Sequence, residues 1–231
     1  RYIFLGSIFF GLCFYTYATA KLFIPLLLLG FLIIYRRRLL DKKKEIFIGL
    51  ILFLLIAAPM MYLSFFGEAQ KRFNEVSIFS QYEKPINEPL TIKEIAFYFK
   101  SFLNNYIQYF SLDYLFLKGD NENRHGTGIG QLYLFYLPLL LIGLFLFLRK
   151  RTREHKLLLW WLIIYPIAAS LTINGPHAIR SISALPLFEI ISAYSISNLL
   201  ESVKLRKKVH IITAFLILVF LLAIYSISFY M

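Results

Sequence analysis

The chain has 231 residues, is 59% hydrophobic with 24 Phe and 16 Tyr, and carries a net charge of +12 at a mean hydropathy of +0.66. Soluble domains average roughly 45–50% apolar residues, so the composition excludes an ordinary soluble domain and points to an all-α, polytopic transmembrane bundle. The placement of the charge excludes nucleic acid as a partner: fifteen of the 25 bases fall at residues 36–44, 149–156 and 204–208, each cluster bordering an apolar run, as expected of cytoplasmic turns.

Residues 2–35 hold one charge, Lys21. A span needs about 20 apolar residues, so this segment is long for one and short for two. Tyr15-Thr16-Tyr17 and Pro25 mark a break. The segment reads as two spans, the first truncated, with Lys21 at the outer face; a single kinked helix is the other reading. Further spans are predicted at 46–66, 130–148, 157–173, 181–200 and 209–231, giving six to seven in all. With the basic clusters inside, an even number of spans separates each pair. Residues 67–129 then form an extracytoplasmic loop, and the chain is a single multi-pass domain of the cytoplasmic membrane.

Residues 70–130 carry seven bases and seven acids, without the basic excess of the cytoplasmic turns. Long insertions that lack a core of their own are usually functional. Thr91 to Glu94 matches a capping box. The apolar residues Ile95, Phe99, Phe102, Leu103, Tyr106, Ile107 and Phe110 follow, with Lys93, Lys100 and Asn104 largely on another face. The pattern reads as an amphipathic helix at the membrane surface or as a helix packed on neighbouring loops. Residues 121–130 read as a loop whose glycines let the backbone approach a ligand.

Four groups meet on the outer face under this topology. Lys21, with Tyr15 and Tyr17, either snorkels or offers a cation and hydroxyls to a lipid phosphate. Arg72, next to Lys71, is a solvated flank or a further cation. Lys118, Asp120, Arg124 and His125 adjoin the run Gly126, Gly128, Gly130: Arg grips a phosphate bidentately and His moves a proton or donates to an oxyanion, while the bland reading is a surface turn of paired charges. His177 and Arg180 occupy a tight connector. An arginine there opposes the positive-inside bias, so it serves an anionic ligand or packs on carbonyls.

Glu189 sits within an apolar run, where ionisable groups are costly; with Pro186 nearby it is a functional group or a locally hydrogen-bonded one. Trp160 and Trp161 read as interfacial aromatics. Cys13 is the single cysteine, so neither an intrachain disulfide nor a cysteine-based metal site is available. No zinc, P-loop, nucleophile-elbow or dinucleotide signature is present. No cofactor is called for, and a divalent cation is left open; the spacing of His125 and His177 does not require one.

Three segments, at residues 11–25 (GLCFYTYATAKLFIP), 116–132 (FLKGDNENRHGTGIGQL) and 171–186 (LTINGPHAIRSISALP), resemble a branch of the bacterial and archaeal GT-C glycosyltransferases. That branch is dolichyl-phosphate-mannose–protein mannosyltransferase-like (glycosyltransferase family 39), related to the aminoarabinose transferases of lipid A. The resemblance implies transfer of a sugar from a polyprenyl-phosphate carrier to a protein, lipid or glycan on the outer side of the membrane. It implies catalytic acids in an early outer loop, expected upstream of Arg1, so the sequence looks like the C-terminal part of a longer enzyme. Lys21, Lys118, Asp120, Arg124, His125, His177 and Arg180 would then bind the donor phosphate and substrate, with Tyr15, Tyr17, Arg72 and Glu189 as secondary candidates. Two other classes remain: a transporter or flippase of lipid-linked saccharides, and an O-antigen ligase or polymerase.

Overall fold

The protein is described from a computed structural model over residues 2–81, 90–120, 128–202 and parts of 211–220. Arg1, upstream of which the resemblance puts the catalytic acids, lies outside the described residues, so that expectation meets no structural observation. Arg124, His125 and Gly126 lie outside them too, as do the Arg72 side chain and most of the apolar run at 209–231.

Among the described residues every regular element is helical, apart from a lone β-bridge between Ser77 and Thr172. In chain order these are α1 (Tyr2–Cys13), α2 (Ala20–Leu40), α3 (Lys43–Phe66), α4 (Glu68–Val76), a 3-10 turn (Ile78–Gln81), α5 (Ile92–Gln108), a π turn (Asp113–Leu117), α6 (Tyr136–Lys150), α7 (Arg153–Ile164), α8 (Ile167–Ser170), a second 3-10 turn (Ile179–Ala184) and α9 (Leu185–Ser202). Among the described residues two helical stretches are long and apolar enough to cross a bilayer, Lys43–Phe66 and Ile179–Ser202.

The expected count of six to seven spans is not supported. Residues 2–35 do break, at 14–19, into two helices; Pro25 lies inside α2 and not at the break. The apolar run at 130–148 becomes helical only at Tyr136, and the run at 157–173 stops at Ile164. Pro166, which has no N–H to continue the ladder, separates α7 from the single turn α8. At 1.5 Å per residue, α7 is about 18 Å long, short of a hydrocarbon core of roughly 30 Å. The described part of the polar block is largely helical as well, holding α4, α5 and both of the turns before α6.

Small residues set the helix crossings, as they do where backbones must approach closely. A Cβ on Gly11 or Gly49 would press on the facing helix of the α1–α3 pair, against Ile56 and Ser7 respectively. Gly143 of α6 receives Ile191 and Ser195 of α9. Gly30 of α2 seats the Trp160 indole of α7, whose Nε1 donates to the Leu26 carbonyl at 2.8 Å. Trp161 donates likewise to the Ser183 carbonyl at 2.8 Å. The two tryptophans therefore act as donors tying one helix to the next. Replacing Gly30 by Val is expected to evict the indole and cost about 1–3 kcal/mol by overpacking. A fall in thermal midpoint and a red shift of tryptophan emission in micelles check this; a midpoint equal to wild type refutes the seat.

The basic ends cluster. Tyr35 of α2 donates to Glu154 Oε1 of α7 at 3.2 Å, and Lys150 of α6 donates to Asn198 of α9 at 2.8 Å. Arg37, Arg38, Arg149 and Lys150 fall in last helical turns, where cations suit the negative pole of the helix.

Candidate functional site

At the opposite ends of these helices, α5 organises the site. Its capping box forms as expected: Thr91 N–H donates to Glu94 Oε2 at 2.6 Å, and Glu94 N–H donates to Thr91 Oγ1 at 3.4 Å. The face that packs inward is the polar one. Glu94 is buried, and Asn105 Nδ2 donates to the carbonyls of Ser170 and Thr172 at 3.2 and 2.9 Å. Ile95, Phe99, Leu103 and Ile107 are exposed in a stripe on the other side. The helix thus packs on its neighbours through one face, as one of its two readings expected, and leaves an uncovered apolar face on the other.

Tyr109, fully buried just past α5, is the hub. Its hydroxyl accepts from His177 N–H at 3.1 Å, and its carbonyl accepts from the Tyr165 hydroxyl at 2.8 Å. Arg180 and Asp120 lie near enough for their charges to act on the phenol. Burial pushes the phenol up to about 12, against the opposing pull of the His177 N–H and Arg180. Tyr114 beside it is pushed up by burial too, despite a 2.7 Å hydrogen bond with Ser181 Oγ. Both stay neutral near pH 7 and serve as hydrogen-bonding groups, not bases.

Asp120 is buried and accepts from Ala178 N–H at 2.7 Å, with His177 Nδ1 at 3.5 Å from the same oxygen. The two residues face each other across the junction of the 118–120 and 176–178 segments. The 174–180 connector itself is sharply shaped: Asn174 has φ 58 and the Gly175–Pro176 bond is cis. Arg180 Nη1 donates to Thr172 Oγ1 at 2.7 Å and to the Ile173 carbonyl at 2.8 Å. The carbonyl-packing alternative for Arg180 is therefore present. Among the described residues no partner is seen for its Nε or Nη2.

Lys118 sits in a local charge pair, the second of the two readings of its segment. Its Nζ donates to Asp113 Oδ2 at 2.7 Å, forming an exposed ion pair. Lys21 Nζ donates to Ser64 Oγ at 2.6 Å, tying the start of α2 to the end of α3. Tyr15 donates to the Ile56 carbonyl at 2.8 Å. Glu189 is exposed and accepts from the hydroxyl of Tyr136, the first residue of α6, at 2.9 and 3.0 Å. Pro186 stands in the first turn of α9 and does not bend it at mid-helix.

Gly130, one of the glycines expected to open the backbone to a ligand, serves packing instead, and so does Gly119. Gly119 has φ 73, and a Cβ there would strike the Ile129 carbonyl; a Cβ on Gly130 would strike the backbone of Phe116. The sequence reading passed over Tyr109, Tyr114, Asn105 and Ser181. Glu94, Ser101, Asn105 and Gln108 recur at helical spacing, and that polar stripe was the available signal for the buried face.

Among the described residues no three His, Cys, Asp or Glu side chains gather as metal ligands. No protein-family model, no curated protein and no solved structure matches the chain.

Proposed function

We propose that this chain belongs to a multi-pass membrane glycosyltransferase that takes a sugar from a polyprenyl-phosphate donor on the extracytoplasmic side. The observation that carries the reading is the meeting of the 118–120 and 174–180 segments beside Tyr109, where His177 N–H donates to the Tyr109 hydroxyl and Ala178 N–H donates to Asp120, at the helix ends opposite the basic clusters. A polyprenyl-phosphate leaving group gains negative charge as the glycosidic bond breaks, and fixed donors aimed at that charge lower the barrier. Arg180 Nε and Nη2 are such donors. No residue described here is assigned as the base that deprotonates the acceptor, which is a protein, lipid or glycan.

Lipid exposure supports the membrane part of the reading. Ten large apolar or aromatic side chains on α3 are exposed, among them Phe47, Leu55, Phe65 and Phe66. Leaving each in water forgoes roughly 1.5–3 kcal/mol, together more than the roughly 5–15 kcal/mol by which a domain is stable. Such a face needs hydrocarbon around it. The six-to-seven-span arrangement belongs to this proposal, with the shorter apolar helices completing the bundle and the exposed stripe of α5 resting on the outer leaflet. An apolar cavity of about 290 Å³ lined by Leu115, Leu132, Ile182, Leu185 and Phe188 supports a place for the first isoprene units.

The test is donor binding. Arg180→Ala is expected to weaken the binding of undecaprenyl phosphate to the purified protein by about tenfold or more, the worth of a charge-assisted hydrogen bond. Arg124→Ala is assayed beside it. Unchanged affinity in both variants sinks the phosphate clamp. In a Cys13→Ala background, a cysteine at Ser80 is expected to react with an impermeant maleimide from outside intact cells and one at Thr152 is not; the reverse pattern sinks the topology. The exposed Glu189 carboxylate favours the transporter as the second reading. Movement of lipid-linked saccharide across proteoliposomes that is lost in Glu189→Gln, without sugar transfer, would establish it.

A further inference from the structure

A second cavity, of mixed apolar and polar lining, lies on the other side of Tyr114. It measures about 510 Å³ and is lined by Gln108, Ser111, Asp113, Tyr114, Lys118 and Pro176, among others. That volume falls within the roughly 300–1,000 Å³ typical of small-ligand sites. The π turn builds its wall. The Asp113 carbonyl accepts from both Lys118 N–H at 2.6 Å and Gly119 N–H at 3.1 Å. This widened turn, of a kind often found at functional sites, brings the Asp113 and Lys118 side chains out together, joined at 2.7 Å.

The charge pattern selects the ligand. An unpaired lysine would favour phosphate. Here the lysine is neutralised by a carboxylate at hydrogen-bond distance, so the described lining residues offer donors and acceptors with no net charge. The amide of Gln108 and the hydroxyl of Ser111 add more of both. The ion pair is reachable by a ligand, its side chains being 70% and 55% exposed. Alternating donors and acceptors without net charge suit vicinal hydroxyls.

We infer that this cavity is a saccharide subsite for an uncharged, hydroxyl-rich ring, held by Asp113 and Lys118 together with Gln108. As a donor-sugar or acceptor subsite it rests on the transferase reading; as a binding site it rests on the cavity alone. Tyr114 would then divide the sugar from the isoprene slot.

The full chain in micelles is tested by saturation-transfer NMR with the methyl α-glycosides of glucose, galactose and mannose. At least one is expected to receive saturation, and the signal to fall about tenfold in the Gln108→Ala, Asp113→Asn double variant, as hydrogen bonds to a charged group are lost. The backbone bonds of the turn do not depend on either side chain, so the variant is expected to keep the wild-type thermal midpoint. Undecaprenyl phosphate binding is measured on the same samples. Glycoside signal equal in wild type and variant, or abolished by inorganic phosphate, overturns the saccharide subsite. If the carrier still binds in that case, the transferase reading survives; glycoside binding without carrier binding sinks the transferase reading and keeps the subsite.

Discussion

Gly130→Ala is expected to unfold the segments packed around the π turn. A Cβ at this position would meet the carbonyl carbon, Cα and nitrogen of Phe116, all backbone atoms that no rotamer change can move. The two segments are bonded there, with Gln131 N–H on the Tyr114 carbonyl at 3.2 Å and Leu132 N–H on the Leu115 carbonyl at 2.7 Å. The methyl group must part them, break both bonds and uncover Phe116 and Leu132, which are buried. The summed cost is about 3 kcal/mol or more, from overpacking plus orphaned backbone groups. Thermal unfolding in micelles measures it. Gly128→Ala is the control: it has φ 71 but open space around it, so only the roughly 1–2 kcal/mol of left-handed strain applies. Equal midpoints for the two variants would refute the close approach at Gly130.

Local rules were legible where one segment decides its own structure. Thr91 and Glu94 satisfy each other within four residues, and the break at 14–19 follows from Tyr15-Thr16-Tyr17. The apolar run at 46–66 became α3 almost residue for residue. The window of apolar residues could not show that Pro166 divides 157–173, because hydropathy counts side chains and not ladder hydrogen bonds. Nor could it show which face of α5 turns inward. In water the apolar stripe is buried; here Asn105 and Glu94 take that place, and Ile95, Phe99, Leu103 and Ile107 are left outside.

The site was legible by composition and not by role. The charged residues of the 118–120 and 174–180 segments do come together, but partner choice divides them. Lys118 is held by Asp113, five residues back, and Asp120 by the backbone of Ala178, 58 residues on. Charge type alone cannot distinguish a ligand-facing group from a brace, because that depends on contacts far along the chain. Tyr109 was missed for the same reason. Nothing about a tyrosine ending an aromatic-rich helix announces that its hydroxyl meets a connector 68 residues away.

Asp120 is therefore expected to behave as a brace, and its variants separate that role from ligand contact. Asp120→Ala removes the acceptor of Ala178 N–H and the carboxylate facing His177, in a pocket where the Asp120 side chain is 1% exposed. Leaving such buried groups without their partner costs roughly 2–4 kcal/mol. Asp120→Asn keeps a carbonyl oxygen for the Ala178 N–H and is expected to lose less than half as much. Carrier binding should follow stability in both variants and return on cooling, since the connector that bears Arg180 is ordered through Asp120. Arg180→Ala should lose affinity at every temperature. A wild-type thermal midpoint for Asp120→Ala, with carrier binding abolished, would mean that the carboxylate touches the ligand itself and that the connector is held by other contacts.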